Sequence, residues 1–435
     1  MSTAKPARPI AVPGFLQARL ARPVAVLGAG VSGRGVRALL AALGAEAVVY
    51  DARERAFTGA AAERHALVVF SPGFPPEHPW LRLARSAGCA CLSEIDLGSL
   101  CWRGRIVAVT GTNGKTTLTE FIAHALGELG TRAVATGNIG HSFSQLAAET
   151  GGGGAQEVAV CEISSFQAET LRYFHAEAAL WTNFAEDHLE RHDGLPAYFE
   201  AKAELVARSD VVFAGSSVRA YARLRPLARE VETRFRWVAT EDQPDDPRLA
   251  GTPFADYPQR ENFLLAAAWW RASGFDEDAL YAAARTFRLG RHRLARVAEI
   301  DGVTFWNDSK ATNFHAVEAA LRRFPAPVLL IAGGKSKGGD LKAFIRRITP
   351  RVRRVFLIGE TALLLAAACA DTGLPHAVCA TFAEAVRRAA AAAAAGDHVL
   401  LSPGFASFDM FRNYEDRGDQ FEQLVRARRP ARPAQ

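Results

Sequence analysis

Residues 107–117 read Val-Ala-Val-Thr-Gly111-Thr112-Asn113-Gly114-Lys115-Thr116-Thr117, a short apolar strand running into a glycine-rich turn that bears a lysine. Backbone N–H groups in such a turn point inward and cradle phosphates, and the helix start beyond it adds partial positive charge. Lys115 is expected to reach terminal phosphates, and the Thr116 hydroxyl to ligate Mg²⁺. The spacing marks a nucleoside-triphosphate site with one irregularity: the usual pattern has glycine at 109, where this chain carries Val109 and offers Gly111 instead. The competing reading is a tight turn with an incidental lysine.

Lysine usage points the same way. Of 52 lysines and arginines only seven are lysines, at 5, 115, 202, 310, 335, 337 and 342. In an arginine background, the lysines that persist are candidates for work a guanidinium cannot do: a compact point charge, or an amine that can change its protonation state. Lys115 sits in the phosphate loop, Lys310 in Asn307-Asp-Ser-Lys-Ala-Thr-Asn313, and Lys337 in Gly333-Gly-Lys-Ser-Lys-Gly-Gly-Asp340. Lys202 falls in a helix-like stretch and, taken alone, reads as a solvated helix lysine. Lys5 and Lys342 read as ordinary surface residues.

The elements that must position these residues alternate between strand and helix. Pro23–Leu27 is an apolar strand, Gly28-Ala-Gly30-Val31-Ser32-Gly33 a glycine turn, and Val36–Leu43 a helix. Ala47–Tyr50 is a second strand ending at Asp51, and Ala66–Phe70 a third, closed by Ser71-Pro-Gly73. This is a Rossmann-like unit, whose glycines serve either a dinucleotide or close strand–helix packing. The phosphate-loop strand opens a second unit near Arg105. Gly151–Gly154 is a flexible loop there, Glu157–Cys161 a buried strand ending at Glu162, and Leu180–Asn183 the next strand. An acid at the end of a parallel strand stands where Mg²⁺ ligands of phosphate-loop enzymes are placed. A third unit begins near Gly290, with strands at Val303–Trp306, Val328–Ile331, Val355–Ile358 and Val399–Leu401 and a helix over Ala389–Ala395. The expected architecture is α/β with three domains, at 1–101, 102–289 and 290–435: a Rossmann-like domain, a central phosphate-loop ATPase-like domain with a parallel sheet, and a C-terminal Rossmann-like domain.

Composition bounds the partners. With 49% apolar and 23% charged residues the chain reads as globular, and no apolar run approaches the roughly 20 residues that span a bilayer. The first 22 residues are basic but lack an apolar core, so they read as an N-terminal arm. A net charge of +6 goes with arginines spread along the chain and no aromatic-rich basic motif. The expected partners are therefore phosphorylated, acidic small molecules rather than nucleic acid or membrane. Six cysteines without metal-site spacing fit a reducing cytoplasm.

Assembled in order, the turns resemble those of the Mur ligases, the ATP-dependent amide ligases that build the peptidoglycan stem peptide. The motifs that carry the resemblance are Gly111–Thr117, Thr136-Gly-Asn138-Ile-Gly140, Glu162-Ile-Ser-Ser-Phe-Gln167, Asn183-Phe-Ala-Glu-Asp-His188, Gly290-Arg-His-Arg293, Asn307–Asn313, Gly333–Asp340 and Leu401-Ser-Pro-Gly-Phe-Ala-Ser-Phe-Asp409. They cover residues 24 to about 425.

The resemblance implies that ATP phosphorylates the carboxylate of UDP-N-acetylmuramoyl-L-alanine and that the amine of D-glutamate then displaces phosphate, in a cytoplasmic and monomeric enzyme. It implies that Gly111, Thr112, Asn113, Gly114, Lys115, Thr116 and Thr117 hold the ATP phosphates, with Lys115 on the transferred group. Two Mg²⁺ sites are expected, one at Thr116 and Glu162 and one at His188 and a CO₂-derived carbamate on Lys202. Asn262 would face the adenine, Arg293 and Asp308 would contact ATP, and Lys310 would lie near the phosphates. Val31, Ser32, Asp51, Arg53, Ser71 and Gly73 would line a uridine-diphosphate pocket, and Asn138 would contact the acyl end. Thr312, Lys337, Ser407 and Phe408 would bind the incoming amino acid. Hinges are expected near residues 102 and 290.

The chain departs from the family pattern at Ala295, where Glu is frequent, at Ser336 in place of Asp, and at the turn Ser402-Pro-Gly404-Phe405. Three rivals remain: a related ligase adding L-glutamate or another amino acid, an NAD-binding oxidoreductase built on Gly28–Gly33, and a non-catalytic nucleotide-binding protein.

Overall fold

Short β-branched runs closed by glycine turns, each followed by a longer amphipathic stretch, fold as parallel βα units. A computed structural model of the chain describes residues 9–225 and 229–428, with sixteen strands among them in three sheets. Lys5, expected at the surface, lies outside the described residues.

The first sheet holds β1 (Val24–Leu27), β2 (Ala47–Tyr50), β3 (Leu67–Phe70) and β4 (Ala90–Ser93), all parallel, in the order β2-β1-β3-β4. The chain leaves β1 to one side and returns to its other side, so the β1–β3 edge is a topological switch point, where open α/β sheets bind ligands. The helix after β1 spans Val31–Ala42 and starts earlier than the predicted Val36. Gly33 permits its approach: a Cβ there would stand 1.9 Å from the Gly28 carbonyl oxygen. The N-terminal arm carries a helix, Gly14–Leu20, seated through the buried Leu16.

The second sheet is also parallel: β5 (Arg105–Thr110), β6 (Ala133–Gly137), β7 (Val158–Glu162), β8 (Ala176–Trp181), β9 (Ser209–Ala214) and β10 (Phe235–Trp237), ordered β10-β9-β8-β5-β7-β6. The strand expected at Leu180–Asn183 starts at Ala176 and ends at Trp181, leaving Thr182 and Asn183 free to brace the phosphate loop. The short helix Glu94–Leu100 joins this layer to the first sheet through two buried carboxylates. Glu94 accepts the Ser144 N–H at 2.7 Å, and burial pushes its carboxyl up to about 7. Asp96 accepts the N–H groups of Arg172, Tyr173 and Phe174 at 3.1, 2.9 and 2.9 Å.

The third sheet holds β11 (Ala295–Ile300), β12 (Val303–Asn307), β13 (Val328–Gly333), β14 (Val352–Ile358), β15 (His376–Val378) and β16 (His398–Leu401), ordered β11-β12-β16-β13-β14-β15. It is parallel except for β11, which pairs antiparallel with β12. The helix expected over Ala389–Ala395 is Phe382–Ala391 and stops short. The chain must turn there to enter β16, with Gly396 at φ +93° and the Asp397 carboxylate taking the Ala394 N–H.

Contacts divide the chain into two compact units. One runs up to Phe184 and adds Pro196–Thr252 and Glu261–Phe287, so it contains the first two sheets. The other holds Ala185–Leu195, Pro253–Arg260 and the chain from Arg288 onward, with the third sheet. All six cysteines are buried thiols, and burial pushes each above its ordinary range. Among the described residues no helix is long and apolar enough to cross a membrane.

Candidate functional site

In the first unit β5 delivers the chain into the phosphate loop at the C-terminal edge of its sheet. Val109 is a buried strand residue paired with β7 and β8, so the turn begins at Gly111 and needs no glycine at 109. Gly111 and Gly114 have φ of +139° and +82°. A Cβ would stand 1.9 Å from Thr182 Oγ1 at the first and 2.5 Å from Asn262 Oδ1 at the second. Asn262, buried in the first turn of the helix Gln259–Ala272, thus abuts the loop and is more than a helix-start residue. The helix Lys115–Glu128 follows, with Thr116 and Thr117 in its first turn. Lys115 Nζ donates to the carbonyls of Gly111 and Thr112, both at 3.0 Å.

Three supports escaped the sequence reading. Asn183 Oδ1 accepts the Asn113 N–H at 2.9 Å, and Thr182 Oγ1 donates to the Asn113 carbonyl at 2.6 Å. The Tyr198 hydroxyl lies 3.3 Å from Thr112 Oγ1. Asn183 opens the motif Asn183-Phe-Ala-Glu-Asp-His188, but nothing in its residue type announces that it faces the loop.

Lys202, on the helix Gly194–Ala207, is 1% exposed rather than solvated. Its Nζ donates to the Gly111 carbonyl at 2.8 Å and lies 4.8 Å from the Tyr198 ring centre. Lys115 and Lys202 therefore share one carbonyl oxygen. Glu162 ends β7, paired opposite Val109 of the strand that leads into the loop, and its Oε1 accepts from Asn138 Nδ2 at 2.9 Å. Its Oε2 is buried with no hydrogen-bond partner in the structure. Such an oxygen in a hard-donor setting fits a cation ligand. No group of three or more His, Cys, Asp and Glu residues is arranged to hold a metal among the described residues. A metal at Glu162 would thus need ligands of other kinds, such as Thr116.

At the β1–β3 edge, Asp51 accepts the N–H groups of Ala29 and Arg53 at 3.3 and 3.1 Å, and these bonds hold its carboxyl below the usual range. Val31 is 51% exposed at the helix start, with Ser32 beside it. Ser71 follows β3, its N–H bonded to the Leu27 carbonyl, and a Cβ at Gly28 would meet its Oγ at 2.9 Å. Gly73 and the exposed Arg53 lie in the loops after β3 and β2. The predicted uridine-diphosphate residues thus gather on one sheet edge.

In the second unit, Asp308 directly follows β12. It accepts from Ser402 Oγ at 2.8 Å and from the Leu294 N–H at 3.1 Å. Burial pushes its carboxyl up to about 7, against the opposing pull of Arg293 and Arg417. Arg417, a residue the sequence did not single out, is fully buried and ties two loops together. It donates to the Ser309 carbonyl at 2.8 Å and the Phe405 carbonyl at 3.1 Å. Lys310 Nζ lies 3.9 Å from the Tyr414 ring centre.

A cleft in this unit is lined by Asp187, His188, Thr312, Lys337, Gly404 and Phe405, among others. Lys337 Nζ stands 3.3 Å from Asp187 Oδ1 and 3.4 Å from Thr312 Oγ1. His188 has φ +56° and its Nδ1 is 3.2 Å from Glu190 Oε1; burial lowers its pKa, with Asp187 opposing. Ser407 is buried and Phe408 is 69% exposed, and neither lines this cleft. Phe405 is fixed by Phe314, edge-on at 5.3 Å, which stacks on Phe344 at 4.3 Å. Ser336 Oγ accepts the Gly338 N–H at 3.2 Å, and Ala295 opens β11.

A glycine cradle with a curled lysine, at the edge of a parallel sheet and next to a buried acid, defines the class: a phosphate-loop α/β protein. Residues 109–230 match the model of the Mur ligase middle domain, and residues 292–405 that of the Mur ligase glutamate ligase domain. The UDP-N-acetylmuramoylalanine–D-glutamate ligase of Pelotomaculum thermopropionicum is 34% identical over 93% of this chain and 97% of its own. The enzyme of the same name from Gloeobacter violaceus is 36% identical over 93% and 99%. The chain belongs to the Mur ligase family. Among solved structures, a pseudomurein peptide ligase type C from Methanothermus fervidus covers 94% of the chain and all of its own at a TM-score of 0.61 and 14% identity. UDP-N-acetylmuramate-alanine ligase of Thermotoga maritima gives 0.60 at the same coverage and identity. These two likenesses concern the fold.

Proposed function

We propose that this chain is an ATP-dependent amide ligase that joins D-glutamate to UDP-N-acetylmuramoyl-L-alanine in cytoplasmic peptidoglycan precursor synthesis. The chemistry rests on one observation: Lys115 curls onto its own glycine loop beside the unpartnered Glu162 oxygen. A carboxylate is a poor electrophile, so its oxygen first attacks the γ-phosphorus of ATP and ADP leaves. The amine of the amino acid then attacks the acyl carbon, phosphate departs, and the nitrogen loses a proton. The identity of the amino acid rests on the relatives, whose names specify D-glutamate.

In this reading residues 1–101 bind the uridine diphosphate, through Val31, Ser32, Asp51, Arg53, Ser71 and Gly73, and residues 102–289 bind ATP. The loop N–H groups from Gly111 to Thr117 hold its phosphates, and Lys115 exchanges its two carbonyl partners for phosphoryl oxygens. Asn262 takes the nucleoside, and Asn138 the acyl end. Residues 290–435 supply Arg293, Asp308 and Lys310 for ATP, and Thr312, Lys337, Ser407 and Phe408 for the amino acid. Thr116 and Glu162 would hold one Mg²⁺, and His188 with a carbamate on Lys202 a second. Bound there, Mg²⁺ would offset the charge of the transferred phosphoryl group. Carbamylation would replace the buried Lys202 ammonium, which shares the Gly111 carbonyl with the half-buried Lys115, by an anion, removing a like-charge contact.

The test is phosphate release with ATP, Mg²⁺ and UDP-N-acetylmuramoyl-L-alanine, comparing D-glutamate, L-glutamate, meso-diaminopimelate and no amino acid. Release dependent on D-glutamate, with the matching product mass, is expected. Dependence on another amino acid would keep the chemistry and move the specificity to the Gly404-Phe405 turn; silence with all of them would sink the ligase reading.

A further inference from the structure

The carboxylate of Asp187 joins three segments of the second unit. Its side chain is 7% exposed. Oδ1 stands 3.3 Å from Lys337 Nζ and accepts the His188 N–H at 3.0 Å, while Oδ2 accepts from Asn313 Nδ2 at 2.9 Å. Asp187 comes from the segment after β8, Asn313 from that after β12, and Lys337 from that after β13. Asn313 is itself fixed, because its Oδ1 caps the helix Phe314–Leu321 by accepting the Ala316 N–H at 2.9 Å.

A lysine side chain has four rotatable bonds, and holding its ammonium at one point costs rotamer freedom. A carboxylate anchored on a helix cap lowers that cost before any substrate arrives. Lys337 also stands 3.4 Å from Thr312 Oγ1, so the ion pair presents a lysine and a hydroxyl together. Facing charges are those of Glu186, which lines the cleft, and of Glu190, which takes His188 Nδ1 at 3.2 Å.

We infer that Asp187 is a positioning residue for the second half-reaction: it fixes Lys337 beside Thr312 as the anchor for a carboxylate of the incoming amino acid. The inference rests on the ligase reading above. The alternative role for a residue next to His188 is to orient a metal ligand, which would act on acyl-phosphate formation as well. The two roles separate by half-reaction.

Asp187→Asn keeps the size of the side chain and removes its charge. The expected result is a KM for D-glutamate raised about tenfold or more, with the KM for ATP and acyl-phosphate formation, trapped with hydroxylamine in the absence of amino acid, within about twofold of wild type. Asn313→Ser, which keeps a helix cap but withdraws the amide donor, should give the same selective rise in smaller measure. The double variant Asp187→Asn/Lys337→Gln should be no worse than Lys337→Gln alone, because both remove one anchor. Acyl-phosphate formation falling as far as ligation, or additive effects in the double variant, would overturn the assignment. Wild-type phosphate release that ignored D-glutamate would instead remove the ligase reading and this inference with it.

Discussion

Lys115 and Lys202 donate to the same Gly111 carbonyl, at 3.0 and 2.8 Å, yet they were unequally visible in the sequence. Lys115 stands in a motif whose geometry is local, so its position follows from spacing. Lys202 stands in Tyr198-Phe-Glu-Ala-Lys-Ala-Glu204, where only the packing of Tyr198 and the phosphate loop against one helix face decides that it is buried. Lys202→Ala should nearly abolish ligation, with bicarbonate stimulating the wild type and a short carboxylate rescuing the variant; unchanged turnover in the variant would refute the carbamate. Lys115→Arg should lose most activity, since a planar fork cannot replace a point charge in a tight loop, and a steady-state assay decides it. Arg417 shows what pattern reading cannot reach: it lies in an ordinary polar helix, and its burial depends on loops more than a hundred residues away in the chain, at Ser309.

At the scale of elements, the βα alternation and most buried strands could be read from apolar runs. Six strands were not read: β4, β6 and β9 within the parallel sheets, β10 and β15, which are three-residue edges, and β11, which alternates exposed and buried residues beside a hairpin. The helix Glu94–Leu100 was also overlooked, although Ser93 ahead of Glu94 and Asp96 is a helix-start signature. Its carboxylates give two predictions. Asp96→Ala removes acceptors from three backbone N–H groups and should cost on the order of 3 kcal/mol in denaturant unfolding. Glu94 has a folded pKa of about 7, above its ordinary 4.5. The native state therefore binds more protons than the unfolded one between those values, and stability falls as pH rises from about 4.5 to 7. Glu94→Gln should flatten that part of the melting-temperature profile; a slope equal to wild type would contradict the assignment.

The whole molecule is built from pieces that are discontinuous in sequence, because Ala185–Leu195 and Pro253–Arg260 group with the third sheet. Sequence patterns could not announce this grouping, since it depends on long-range contacts made by short loops. An ATP analogue with Mg²⁺ should raise the unfolding temperature, and Glu162→Gln should remove most of the Mg²⁺-dependent part of that rise. An equal rise in the variant would argue against Glu162 as a ligand. The cysteines have a practical consequence for such studies. With every native thiol buried and held protonated, maleimide dyes should leave the folded wild type unlabelled and react only with introduced cysteines. Leu224 and Leu363, each 76% exposed and one in each compact unit, offer two attachment points. Energy transfer between dyes placed there would report in real time whether the distance between the two labelled residues changes as each substrate is added.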